Sequence, residues 1–195
     1  MTPSSSNGVS RIILGVDPGS NTTGYGFLRS NGNRLEVMAF GAITPRPLKS
    51  PLGNRLKVIF EELESLIDEN RPDVIAVETV FSHINVQSAI GLAQARGVIL
   101  LAAARQGVQT TEFAPREVKL AVTGFGGADK IQVRSMVSRL LGLKASQASS
   151  AGSGPAMVQD AFDALAVAYC EASSAPMRLA LANAGVARLR ARSRR

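Results

Sequence analysis

The spacing of apolar residues differs between the first 50 residues and the residues that follow. The run RIILGVD at residues 11–17 is short and rich in β-branched residues, which indicates a buried strand. Two further runs at 23–30 and 34–43 are separated by the sequence NGN, a strong hairpin signal. We therefore predict that the fold begins with three strands in an antiparallel meander.

After residue 50 the apolar period changes to that of a helix. Apolar residues recur three and four positions apart from Leu56 to Ile67, which predicts an amphipathic helix whose other face carries acids. The run DVIAVE at 73–78 predicts a fourth strand, and an alanine-rich helix should follow at 86–105. VQTTEFAP at 108–115 predicts a fifth strand.

Three helices are predicted in the rest of the chain. Two lie around 115–122 and 129–142, the second with Asp129 as its N-cap, and the third lies in AMVQDAFDALAVAYCEA. The Ser/Gly/Ala segment 145–154 before the third reads as a flexible loop. This order of elements predicts an α/β fold: a five-stranded mixed sheet, an antiparallel meander plus parallel strands, with helices on both faces.

The 195 residues predict one domain at 11–172, between a disordered leader at 1–10 and a flexible basic tail at 173–195. The leader lacks the basic and apolar regions of a secretory signal. We expect no membrane contact, because every apolar run is shorter than the ~20 residues of a membrane span. Cys170 is the single cysteine, which excludes an intrachain disulfide and favours a cytoplasmic location.

The net charge of +7 is unevenly distributed. Residues 176–195 hold six arginines and no acid, and the remaining 16 basic and 15 acidic residues leave only +1. Residues 96–144 hold eight basic residues against three acids, whereas 61–73 hold six acids against one arginine. Such a one-sided field suits a polyanion, although a solvated helix face and a disordered tail would give the same pattern.

Four carboxylates stand in otherwise apolar surroundings. Asp17 ends the first predicted strand and Glu78 the fourth, and sites in α/β sheets gather at such strand ends. Asp160 and Asp163 are three apart on the last helix and project together. Mg²⁺ prefers oxygen ligands, and two ions roughly 3.5–4 Å apart can support in-line phosphoryl displacement. The four acids therefore predict a metal site.

Two other functions remain open at this point. The glycine-rich stretch after Asp17 resembles the phosphate loop of sugar kinases and actin-like ATPases, although that class needs a second domain and a second glycine-rich motif. In the metal-site interpretation these glycines let the second strand pass close to Asp17. A noncatalytic DNA-binding module with a basic tail explains the charge, but it gives no reason for acids in apolar surroundings.

The motifs resemble, in order and spacing, those of the RuvC family of Holliday-junction resolvases. Four stretches match successive family motifs: GVDPGSNTTGYGF, AVETVF, AQARGV and DAFDALAVA. The family segment that precedes the last motif is matched by FAPREVKLAVTGFGGADKIQV. The resemblance runs from about residue 12 to about residue 172, nearly the whole predicted domain. It implies an RNase H-like fold.

The resemblance also implies the chemistry. Each subunit would bind two Mg²⁺ ions, for which Mn²⁺ could substitute, through Asp17, Glu78, Asp160 and Asp163. The scissile phosphate would lie near Lys119 and Lys130. A homodimer would resolve four-way junctions in recombination and repair by symmetric nicks, working with the RuvA–RuvB branch-migration machinery. The expected DNA contacts add four residues to the two lysines: Phe81 on unstacked bases, with Asn85, Arg96 and Arg116. No role is assigned to His83.

Overall fold

The computed structural model describes residues 10–32, 34–79, 86–143 and 159–175, with the side chain of Gln87 left out. Three residues singled out by the sequence lie outside them: Phe81, His83 and Asn85. The predicted leader up to residue 9, the loop 145–154 and the tail beyond residue 175 also lie outside. The predicted domain boundaries therefore stay predictions.

The predicted elements are confirmed in the described residues, with bounds within a few positions. The strands are β1 Arg11–Asp17, β2 Thr23–Asn31, β3 Arg34–Ile43, β4 Val74–Glu78 and β5 Gln109–Phe113. The helices are α1 Leu52–Asn70, α2 Val86–Arg105, α3 Pro115–Thr123 and α4 Lys130–Leu140. A further helix, α5, covers 159–175. None of the described helices is long and apolar enough to span a membrane.

The five strands form one mixed sheet in the order β3-β2-β1-β4-β5. β1, β2 and β3 pair antiparallel, which confirms the predicted meander. β4 pairs parallel to β1, and β5 pairs parallel to β4. Because the three parallel strands end at the same edge, Asp17, Glu78 and Phe113 share one end of the sheet.

Helices cover both faces of the sheet, as predicted. Alternate residues of β1 point to opposite faces, so Ile13 belongs to one apolar core and Leu14 to the other. The first core is completed by α3, α4 and α5, and the second by α1 and α2.

Helix α5 lies unusually close to the sheet because three glycines face it. A Cβ added at Gly24 would overlap the carbonyl oxygen of Asp160, and one at Gly15 would lie 2.6 Å from the amide nitrogen of Ala168. Gly26 faces the Leu165 side chain, whose Cδ2 would lie 2.7 Å from an added Cβ. As expected, β2 passes beside Asp17, where Gly24 pairs with it, and these glycines have a further role: Gly24 makes room for the α5 backbone and Gly26 for the Leu165 side chain. Their contacts with α5 also leave no open phosphate loop at these two positions.

Candidate metal centre

Asp17 occupies the centre of the carboxylate cluster. It is the last residue of β1, flanked by Gly24 of β2 on one side and by β4 on the other. One carboxylate oxygen each of Asp17, Asp160 and Asp163 lies within 4.8 Å of the other two. The structure thus brings three of the four predicted acids into one cluster.

Helix α5 supplies two of these acids from one face. Asp160 and Asp163 are three residues apart, and the close contact at Gly24 sets the first of them directly over the end of β1. Gln159 Nε2 donates a hydrogen bond to Asp163 Oδ1 at 2.9 Å. Lys130 Nζ lies 3.6 Å from Asp163 Oδ2, so one oxygen of this carboxylate faces an amide and the other a cation.

Glu78 joins the cluster from the neighbouring parallel strand. Its carboxyl lies within hydrogen-bonding reach of that of Asp17 when one of the two is protonated. The backbone after it is fixed by Thr79, whose N–H donates to the Phe113 carbonyl at 2.8 Å and whose hydroxyl lies 3.2 Å from the same oxygen. Glu78 therefore stands beside the three clustered acids as a direct partner of Asp17.

Burial and mutual repulsion make this cluster hard to ionise fully. Burial raises the pKa of Asp17 well above its ordinary value, and the charges of Glu78, Asp163 and Asp160 raise it further. Burial also raises the pKa values of Glu78, Asp160 and Asp163, with nearby Lys130 opposing the rise in each. A hydrogen bond between two carboxyls needs one proton, and the pKa directions place it on Asp17.

The donor set fits a hard divalent cation. All the converging atoms are carboxylate oxygens, and the neighbouring acids raise the pKa of Asp17 beyond the rise that burial causes. A divalent cation would replace the proton that this raised pKa favours and offset the repulsion between the acids. Among the described residues, no nitrogen or sulfur ligand of the kind that favours zinc joins this set.

The cluster opens into a cleft of about 480 Å³ that also holds the two predicted lysines. Lys119 enters from the second turn of α3 and Lys130 from the first residue of α4. The start of α4 is fixed by Asp129, whose carboxylate accepts a hydrogen bond from the Gln132 N–H at 2.8 Å, which confirms the predicted N-cap. The lysines thus reach one carboxylate-lined cleft from two separate helices.

The two predicted arginine contacts lie in different surroundings. Arg96 Nη2 pairs with Glu112 Oε2 at 2.5 Å, joining α2 to β5. Its Nε is buried and has no hydrogen-bond partner among the described residues. Arg116 is exposed in the first turn of α3 and packs beside Gly126. A DNA role for Arg96 therefore has to coexist with its ion pair to Glu112, and both contacts stay predictions.

Several contributors to this site were not found from the sequence. Gln159 lies one helical turn before Asp163, a spacing that could have suggested its hydrogen bond. Thr22 and Leu92 line the cleft without any recognisable sequence signal. Gly24 was noticed as a glycine, but its contact with Asp160 joins segments 136 residues apart and no local pattern encodes it.

The fold and the site together define a class of protein. A mixed sheet whose parallel strand ends meet two acids of a crossing helix, beside a lysine-lined cleft, is the arrangement of an RNase H-like nuclease with a divalent-metal site.

Comparison with known proteins narrows this class to one family. The model of the family "Crossover junction endodeoxyribonuclease RuvC" matches residues 13–171. The chain therefore belongs to the RuvC family.

Relatives match over most of their length. The RuvC of Rhodococcus jostii is 46% identical over 177 residues, 90% of this chain and 89% of that protein. The RuvC of Syntrophomonas wolfei is 44% identical over 163 residues, 83% of this chain and 88% of that protein. Among solved structures, Thermus thermophilus RuvC in complex with a Holliday junction substrate has a TM-score of 0.73 at 28% identity, covering 86% of this chain and 96% of that one.

Proposed function

We propose that this chain is a Mg²⁺-dependent endonuclease that resolves four-way DNA junctions by hydrolysing one phosphodiester bond in each of two opposing strands. The observation that carries the proposal is the convergence of Asp17, Asp160 and Asp163 within 4.8 Å, with Glu78 beside Asp17 in the same cleft, in a chain of the RuvC family. The family membership supports the junction as substrate, and the cluster supports the chemistry.

The four acids would hold two Mg²⁺ ions, for which Mn²⁺ could substitute. When bound, such ions lower the pKa of a coordinated water and stabilise negative charge on the reacting phosphate. The carboxylates orient that site because each comes from rigid structure: Asp17 and Glu78 from adjacent strands, and Asp160 and Asp163 from a helix packed onto glycine. The geometry is therefore set before DNA arrives.

Lys119 and Lys130 would bind the phosphate that enters the cleft. Lys130 lies 3.6 Å from Asp163, and a lysine ammonium is a compact partner for a phosphate oxygen. Its ion pair with Asp163 would loosen once a cation occupies the acids, which would free the ammonium to turn toward DNA. Phe81, Asn85, Arg96 and Arg116 remain the other contacts that we propose from the family resemblance.

A homodimer is proposed because two symmetric cuts are most simply made by a two-fold protein. Helix α2 offers a surface for it: Val86, Ile90 and Leu101 are 75%, 48% and 54% exposed. At 100° per residue these three fall within about 60° of one face, and exposed Gly97 lies between Ile90 and Leu101 on that face. A second copy of the chain would cover this apolar stripe.

The dimer is tested by the mass of the protein in solution. We expect the wild type to sediment as a dimer and Leu101→Lys to shift the equilibrium toward the monomer. Leu48→Lys, which changes an exposed leucine outside α2, is the control and should remain dimeric. A wild type that stays monomeric at working concentration, with and without DNA, would contradict the proposal.

The nuclease function is tested by cleavage of a four-way junction and of matched linear duplex, in Mg²⁺, in Mn²⁺ and in EDTA. We expect paired symmetric nicks on the junction alone, in either metal and not in EDTA. Junction binding without cleavage in any metal would instead support the noncatalytic junction-binding module. Cleavage in EDTA would contradict the metal mechanism.

Two further expectations remain, one from the family resemblance and one from the sequence. The RuvA–RuvB branch-migration machinery is the proposed partner, and retention of this chain by a RuvA–RuvB complex on junction DNA would support it. A cytoplasmic location is proposed from the single cysteine and is tested by fractionation of cells that express the tagged chain.

A further inference from the structure

An exposed aromatic side chain lies outside the metal centre, on the loop between α3 and α4. Phe125 is 65% exposed, and Ile131 at the start of α4 is 81% exposed. Together with Met136 they line a shallow groove beside α4. The metal centre uses none of these three residues.

The backbone that carries Phe125 is fixed on both sides. The Phe125 N–H donates to the Thr123 hydroxyl at 3.1 Å, and that hydroxyl donates to the Lys119 carbonyl at 2.8 Å. The Phe125 carbonyl accepts from the Ala128 N–H at 3.1 Å. The ring lies against Gly127, where an added Cβ would come within 2.7 Å of Cζ. An ordered turn therefore presents this ring to solvent.

The groove and the cleft share the first turn of α4. Lys130 lines the cleft, and the next residue, Ile131, lines the groove. Arg116 closes the other side of the loop, since a Cβ at Gly126 would lie 2.7 Å from its Cγ. The one acid in this loop, Asp129, accepts a hydrogen bond from the Gln132 N–H as the helix cap. The loop therefore lies between two cations, Arg116 and Lys130, with one capping carboxylate.

We propose that Phe125 stacks on a nucleobase of the DNA strand that leaves the cleft past Lys130. The inference rests on the proposed function, because it requires a strand in the cleft. Proteins that hold exposed strands combine aromatic platforms with cations that follow the backbone, and this loop places both side by side. An ordered loop also loses little conformational freedom on binding, which favours the contact.

Tryptophan fluorescence tests the contact directly, because the natural sequence contains no tryptophan. Phe125→Trp places a single reporter in the loop, and Leu140→Trp places one at the far end of α4, where Leu140 is 39% exposed. Junction DNA is added in EDTA, and binding is followed in parallel by the anisotropy of a labelled junction. We expect quenching of the tryptophan at 125 and little change of the tryptophan at 140.

The junction affinity of Phe125 variants distinguishes base stacking from a simple apolar contact. We expect Phe125→Leu to weaken junction binding by roughly 5- to 100-fold and Phe125→Tyr to retain it, because leucine keeps the volume but lacks a ring. Thermal unfolding of each variant checks that an exposed substitution leaves the fold intact.

Three outcomes would overturn the inference. Junction binding without quenching at 125, or equal quenching at 125 and 140, would show that the ring does not meet a base. Equal affinity of Phe125→Leu and the wild type would exclude a stacking contribution. A wild type that binds no junction would instead overturn the proposed function, and this inference with it.

Discussion

The buried acids at the two ends of helix α5 differ in the partners that compensate their charge. At the end far from the cleft, Glu171 is fully buried, yet Arg11 Nη1 lies 3.0 Å from one carboxylate oxygen and the Thr111 hydroxyl donates to the other at 2.9 Å. At the cleft end, Asp160 and Asp163 meet Asp17 and Glu78, with one lysine at 3.6 Å. About 12 Å of helix separates the two arrangements.

The difference separates a structural acid from an acid that awaits a cation. Burying a charge is unfavourable unless a partner compensates it, and at Glu171 the protein supplies that partner from β1 and β5. At the cleft the acids instead compensate each other poorly, as their raised pKa values show. A bound divalent cation is the partner that this end lacks.

The largest expected effect is on junction cleavage, which should depend on the acids at the cleft end of α5 and not on Glu171. Asp17→Asn removes a carboxylate of the cluster, and we expect junction cleavage to fall by roughly 10³-fold or more while junction binding persists. Glu171→Gln lies outside the cleft and should keep cleavage within a few-fold of wild type once folded. Single-turnover cleavage measures both, and equal losses in the two variants would contradict the distinction.

A second expected effect concerns Gly24, which allows α5 to pack closely against the sheet. Gly24→Ala would push the Asp160 backbone away from β1, so cleavage should fall by roughly 10²-fold and the free energy of unfolding by about 1–3 kcal/mol. Gly53→Ala on α1 is the matched control, because no atom of the described residues lies within 4 Å of its added Cβ. The control should leave cleavage unchanged and leave stability equal or slightly higher. Full activity in Gly24→Ala would show that the contact does not set the site.

These contacts also show where sequence reasoning stops. Period and turn signals predicted all five strands, and apolar surroundings marked Asp17, Glu78, Asp160 and Asp163, because burial and strand ends leave local patterns. The compensation of Glu171 by Arg11 joins residues 160 positions apart, and the Gly24 contact depends on how α5 crosses the sheet. Such details arise from packing between distant elements, which periodicity does not record.

A third expected effect is on stability at the compensated end. Arg11→Met removes the cation beside Glu171, and we expect the free energy of unfolding to fall by about 3 kcal/mol. Arg29→Met, which alters an exposed arginine paired at 3.7 Å with exposed Glu36, is the control and should change stability by less than about 1 kcal/mol. Urea unfolding measures both, and equal effects would show that burial of Glu171 adds nothing.

A smaller effect concerns pH in the absence of metal. The folded pKa values of Asp17, Asp160 and Asp163 lie above the ordinary 3.8, so the folded state binds more protons than the unfolded state just above that pH. The stability that these protonated acids provide is present below pH 3.8 and is lost as pH rises through the raised values. Relative to wild type, Asp17→Asn should flatten this fall. Urea unfolding in EDTA across acidic and neutral pH measures it, and parallel curves would contradict the pKa directions.

The central claim, that the cleft acids await a cation and Glu171 does not, is tested most directly by thermal unfolding at neutral pH in EDTA and in Mg²⁺. We expect Mg²⁺ to raise the Tm of the wild type and of Glu171→Gln by similar amounts, although the variant starts lower. Asp17→Asn should start at or above the wild type in EDTA, because its amide donates to Glu78 without a shared proton, and should gain little from Mg²⁺. The same Mg²⁺ gain in Asp17→Asn as in the wild type would contradict the claim.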